Sequence, residues 1–158
     1  PSWKTPTPTP PTPRAPRLHR QLRRAEKALT EQQTYGEYRP PQRDECIERS
    51  YYMPLDDEDV VRADVRVWSN GKQMVDFHLV AEGLTLNGSA WEYKQLARVD
   101  ICHGHAHAHA LIGDKMDDAP THIGRIDTVA DVQTMFRLAC AQIIDFARTL
   151  RDERGSHD

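Results

Sequence analysis

"ARVDICHGHAHAHALI", residues 97–112, is the stretch whose reading decides the fold. Ala97, Val99 and Ile101 alternate with Arg98, Asp100 and Cys102; Ala106, Ala108 and Ala110 then alternate with His105, His107 and His109. A period of two is the signature of a half-buried strand. His103-Gly104 between the two runs reads as a two-residue hairpin turn, so strands are expected over about 91–103 and 105–112. With that turn Cys102 faces His105, Asp100 faces His107 and Arg98 faces His109, all on one side of the sheet. The other side is almost wholly small and apolar. Alanine is a poor strand former, so three in alternation predict that something bulky approaches closely.

The bulky element is supplied further on. From Thr128 the apolar positions Val129, Val132, Phe136, Ala139, Ile143, Ala147 and Leu150 follow helical spacing, with Met135 and Leu138 widening the stripe. Thr128 and Asp131 resemble a capping pair, and Gly155 marks the end. This helix is expected on the alanine side.

Upstream, Val61, Ala63, Val65 and Val67 alternate with Arg62, Asp64, Arg66 and Trp68, and Val75, Phe77 and Leu79 alternate with Asp76 and His78. Asn70-Gly71 signals a hairpin. To keep both apolar sets on one face the register requires an odd loop, Ser69-Asn70-Gly71, which pairs Val65 with Val75 and sets Asp64 opposite Asp76. The expected fold is α+β: a four-stranded antiparallel meander over residues 60–154, one face covered by a C-terminal helix, preceded by a basic N-terminal helix.

The N-terminal third has a different character. Seven of residues 1–16 are proline, which favours an extended, solvated chain, and a disordered Pro/Thr-rich arm is expected there. Residues 17–33 read as a basic amphipathic helix: Leu18, Leu22, Ala25 and Leu29 form a narrow seam among Arg17, Arg20, Arg23, Arg24 and Lys27. Residues 1–29 carry seven Lys/Arg against one Glu, a charge of +6; residues 30–60 carry nine Asp/Glu against three Arg, a charge of −6. Residues 34–59 are therefore expected as an acidic connector. The two blocks either pair with each other, or the basic one meets nucleic acid or an acidic protein.

With 158 residues, 38% apolar and 28% charged, the chain suits one domain plus tails. No apolar run reaches the roughly 20 residues of a membrane span, and no continuous apolar stretch at the start resembles a signal peptide. Three scattered cysteines, Cys46, Cys102 and Cys140, do not make a disulfide framework, which favours free thiols and a cytoplasmic location.

The histidine face supports three chemistries. A metal site, with zinc as the cofactor, would draw on Cys102, His105, His107 and Asp100; residues two apart on a strand stand about 6.6 Å apart, so the three histidines of residues 105–109 do not all reach one ion. Acid–base catalysis would use Arg98, Asp100, His103, His107 and His109, with Asp100 orienting an imidazole and Arg98 holding a phosphate. A solvated polar face that binds a partner is the third.

Arg98, Asp100, His103, Gly104 and His107 form an R-x-D-x-x-H-G-x-x-H pattern that resembles one shared by small uncharacterised proteins of actinobacteria and their phages. More distantly, the arrangement is similar to TumE-like toxins of toxin–antitoxin pairs. The resemblance covers about residues 60–152 and implies translation inhibition or RNA targeting, with an antitoxin as partner. It leaves the basic arm unmatched. Functionally the expectation is a phage-type or mobile-element protein acting on nucleic acid, with a toxin-like RNase using the Arg/Asp/His face as its specific form, or else a noncatalytic host-interaction or assembly module that binds a protein through the Pro-rich arm and basic helix, the arm ordering on its partner.

Overall fold

The structure is a computed structural model, and it describes residues 15–58, 60–112, 115–116 and 119–155. The chain divides into two compact units, residues 1–33 and 34–158. In the first, helix α1 spans Ala15–Thr34 and carries the five basic residues expected of it. Leu22 and Leu29 of its seam are more than half exposed. The expected disordered arm lies outside the described residues, except for Ala15 and Pro16, which open α1.

The second unit begins at Thr34 rather than Val60. Its strands are β1 (Ile47–Pro54), β2 (Val61–Asn70), β3 (Gln73–Asn87), β4 (Ala90–Cys102), β5 (His105–Ile112), β6 (Lys115–Met116) and β7 (Thr121–Arg125), followed by helix α2 (Val129–Gly155). β1 to β5 pair antiparallel in chain order, and β6 and β7 share the outer edge of β5. The sheet is thus six strands wide, not the expected four. β1 occupies part of the expected acidic connector: Ile47, Arg49, Tyr51 and Met53 alternate on one face, a strand pattern hidden by the acidic charge around it.

The β2–β3 register also differs from expectation. Val65 pairs with Leu79 and Val67 with Phe77, while Asp64 faces Val80 and Asp76 faces Trp68. The turn residues are Gly71 and Lys72, with Asn70 opposite Gln73. Gly71 has φ 61°, the left-handed value that suits glycine at the first central position of a II′ turn. A two-residue turn alone would put the apolar sets on opposite faces, and a bulge at the Trp68/Ser69 step restores the alignment. The parity argument therefore holds, but a bulge and not a longer loop satisfies it. The β3–β4 hairpin repeats the device, with Gly88 at φ 64° and a register shift between Ala81 and Glu82.

The core sits between the alanine face and α2. Ala63, Val65, Phe77, Leu79, Ala81, Val99 and Ala106 are buried from the sheet, and Val132, Ala139 and Ile143 from the helix. Phe136 meets Phe77 edge-on with ring centres 5.4 Å apart. Of the expected stripe, Val132, Ala139, Ile143 and Ala147 are buried, whereas Leu138 is 44% exposed and belongs to the outer face. Asp131 Oδ2 accepts from the Thr128 and Asp127 amides at 2.9 and 3.1 Å and from Thr128 Oγ1 at 3.1 Å, so the expected pair meets but only Asp131 caps backbone amides.

Candidate functional site

The β4–β5 hairpin has the register read from its residues: Cys102 with His105, Asp100 with His107, Arg98 with His109. Its turn holds His103 at φ 52° and Gly104 at φ 71°, the pair of positive φ values that a I′ turn requires. Because β3 lies on the other side of β4, Asp100 also faces His78. Asp100 is thus flanked by imidazoles from two neighbouring strands.

The closest of these contacts is with β5. His107 Nε2 lies 3.1 Å from Asp100 Oδ1. Arg98 Nε is 3.5 Å from Asp100 Oδ2, close enough for attraction but without a hydrogen bond, and that nitrogen is buried and unpartnered. The Nδ1 atoms of His105, His107 and His109 are also buried with no hydrogen-bond partner. His105 and His107 are each only 8% exposed.

Burial is the main reason that the pKa values of His107, His105 and His78 fall below the ordinary imidazole value. Asp100 opposes the fall at His107 and His78. A neutral His107 whose Nε2–H is directed at Asp100 presents Nδ1 as a bare lone pair. That is the protonation state of a general base.

The imidazoles form a ladder along β5. His105 stacks on His107 with centres 4.7 Å apart and planes at 27°, and His107 meets His109 edge-on at 4.8 Å. Stacked rings send their in-plane lone pairs out side by side, whereas one zinc ion needs them to converge at about 2 Å. Among the described residues, no three His, Cys, Asp or Glu side chains are grouped to hold a metal. Burial and Asp100 also push the Cys102 thiol up, away from the thiolate that zinc binds.

Several contributors come from segments given no role by the sequence reading. His122 of β7 pairs across from His107, and its ring lies 5.6 Å from His105. Tyr35, just past α1, meets His105 edge-on at 4.8 Å and His103 at 6.3 Å. His103 is thereby exposed at the turn beside Tyr35.

Residues 35–46 form a strap that ties the hairpin end to β3. Gly36 donates to the Gly104 carbonyl at 2.8 Å, which also accepts from Ile126 at 2.8 Å, and Tyr38 Oη donates to the Val75 carbonyl at 2.8 Å. Arg43 then reaches Asp76 at 2.8 Å and lies 3.8 Å over the Trp68 ring. Asp76 and Trp68 are each only 4% exposed. The Tyr-Gly step and the two tyrosines in residues 35–38 were the available signals, masked by the surrounding charge.

Arg20, Arg23, Arg24 and Lys27, named above as nucleic-acid contacts, are exposed on α1, and Arg17 lies in the same helix. They belong to the other compact unit. No helix among the described residues is long and apolar enough to cross a membrane, and Cys46, Cys102 and Cys140 are free. No protein-family model, curated protein or solved structure matches the chain.

Proposed function

We propose that this is a phage-type or mobile-element protein that cleaves RNA, in the manner of a toxin-like ribonuclease, through the Arg98, Asp100 and His107 face of the sheet. One observation carries the reading: His107, nearly buried, has Nε2 on Asp100 and an unpartnered Nδ1 acceptor, and the same strand pair holds an unpartnered donor, Arg98 Nε.

The chemistry suited to such a pair is transfer of a phosphodiester to its neighbouring 2′-hydroxyl. RNA binding has to uncover the buried His107 Nδ1, which then takes the 2′-hydroxyl proton as the oxygen attacks phosphorus. The Arg98 guanidinium, on a side chain that is 40% exposed, neutralises charge on the phosphoryl oxygens. The bond to the 5′-oxygen breaks, and His109, across from Arg98, returns a proton to it. The products are a 2′,3′-cyclic phosphate and a free 5′-hydroxyl. Asp100 holds the imidazole in the required tautomer and stabilises its charge. The basic residues of α1 provide phosphate contacts in this reading, and an antitoxin is the protein partner.

Purified protein incubated with single-stranded RNA tests it. His107→Gln and Asp100→Asn are expected to lower cleavage by about a hundredfold or more, in the range of a lost general base, while the fold is retained. Wild-type protein that leaves RNA intact would remove the proposal. A noncatalytic partner-binding module is then the better reading, favoured by the exposed Leu22 and Leu29 on α1 and by Ile47, Tyr51 and Tyr52 on β1.

A further inference from the structure

The sheet face opposite the histidines is unevenly filled. α2 leans on β3 through Phe136 and Phe77, and Met135 lies against Gly124 of β7. Over β4 and β5 the floor is formed by Ala97, Ala108 and Ala110, and a cavity of about 130 Å³ remains between it and the C-terminal half of α2. The alanines do not draw the helix down, contrary to the close approach expected of them.

Val99, Ile143 and Phe146 wall this cavity, His109 borders it, and Thr121 and Gln142 contribute neutral polar groups to its lining. Both of these are exposed residues, so the cavity has a polar rim that solvent reaches. Among the described residues, no Asp, Glu, Lys or Arg lines it.

We infer that the cavity is a binding site for a small uncharged aromatic ring, of the size of benzene or phenol. An apolar cavity of roughly 150 Å³ stays dry and accepts benzene, because its lining atoms otherwise lack contact partners on one side. Phe146 offers a ring for edge or offset stacking, and the hydroxyl of Thr121 or the amide of Gln142 matches one polar substituent at the rim. A charged ring would have to give up water for a mostly apolar floor and wall, with only the rim groups and His109 to offset its desolvation, so a neutral ring is favoured. The Val99 and Ala108 pair of the floor lies between the Arg98–His109 and Asp100–His107 pairs, on the reverse of the same two strands. The site stands on cavity shape, and its binding test needs no RNA, although His109 belongs to both this lining and the histidine row.

Benzene and phenol, added to the full chain at millimolar concentration, are the probes, with benzoate and benzylammonium as charged counterparts. The neutral pair is expected to raise Tm with concentration and to shift the NMR signals of Ile143 and Ala108, and the charged pair to do neither. Ala108→Leu fills the cavity and is expected to abolish the rise in Tm; should that variant fail to fold, Ala110→Val serves the same purpose. A Tm unmoved by both neutral probes would overturn the site. So would a rise that survives either filling variant, or signal shifts confined to the exposed Ile47 and Tyr51.

Discussion

His107 is buried on a face where histidines would ordinarily be solvated, and this sets the protein's response to acid. The folded-state pKa values of His107, His105 and His78 are all lowered by burial. The unfolded chain, with imidazoles near 6.5, therefore binds more protons than the native state once pH drops toward that value. The stability these groups contribute is present above about pH 6.5 and is lost as pH falls through the depressed folded values. Asp76 acts in the opposite sense: burial raises its pKa against the pull of Arg43, so acidification through that raised value relieves a buried charge. Urea titrations between pH 8 and 5 are expected to show falling stability, and His107→Gln should flatten the slope. A slope that the substitution leaves intact would place the protons elsewhere.

At the scale of elements, two glycines with similar φ values separate backbone strain from packing. A methyl group on Gly71 meets nothing within 4 Å, so Gly71→Ala should cost only the roughly 1–2 kcal/mol of a left-handed non-glycine residue. A methyl on Gly104 would overlap the Gly36 carbonyl, and one on Gly36 would overlap the carbonyl of Ile126. Gly104→Ala is thus expected to cost clearly more than Gly71→Ala and to expose Asp76 and Trp68 by loosening the strap. Equal losses in chemical denaturation would show that the strap is not held at this crossing. The β4–β5 hairpin and α2 were legible in the sequence because each is local: alternation, a two-residue turn, a helical stripe and its cap lie within one stretch. The strap was not, since Gly36, Tyr38 and Arg43 are explained only by partners at Gly104, Val75 and Asp76. Nor was the bulge near Trp68, where two devices give the same face alignment and only the chain's path distinguishes them.

For the whole molecule, the division at residue 33 separates charge from core. Every residue of the core cluster and its flanking apolar layer lies at or beyond Tyr38. Deleting residues 1–33 is therefore expected to leave Tm nearly unchanged while removing the basic residues of α1. If these carry RNA, the full chain should lose affinity with salt at a logarithmic slope of up to about −3.5, the value for five contacts to a single strand, and the shortened chain should bind far more weakly. Salt-independent binding, or binding that survives the deletion, would shift the contact to the histidine face or to a protein partner. The candidate site itself was legible as a face: Arg98, Asp100 and His107 are neighbours by strand register alone. What periodicity could not convey is the burial of His105 and His107, because Tyr35 and His122 reach them from distant positions in the chain.

The central claim is that Asp100 and His107 act together as a base. Its most direct test is the pH dependence of RNA cleavage in the wild type and in Asp100→Asn. The rate should rise with pH as His107 loses its proton, with the midpoint below 6.5 because burial depresses its pKa. Asp100 favours the protonated imidazole, so Asp100→Asn should move that midpoint lower still while reducing the plateau rate. A profile without a midpoint in this range, or one unchanged in both Asp100→Asn and His107→Ala, would contradict the assignment.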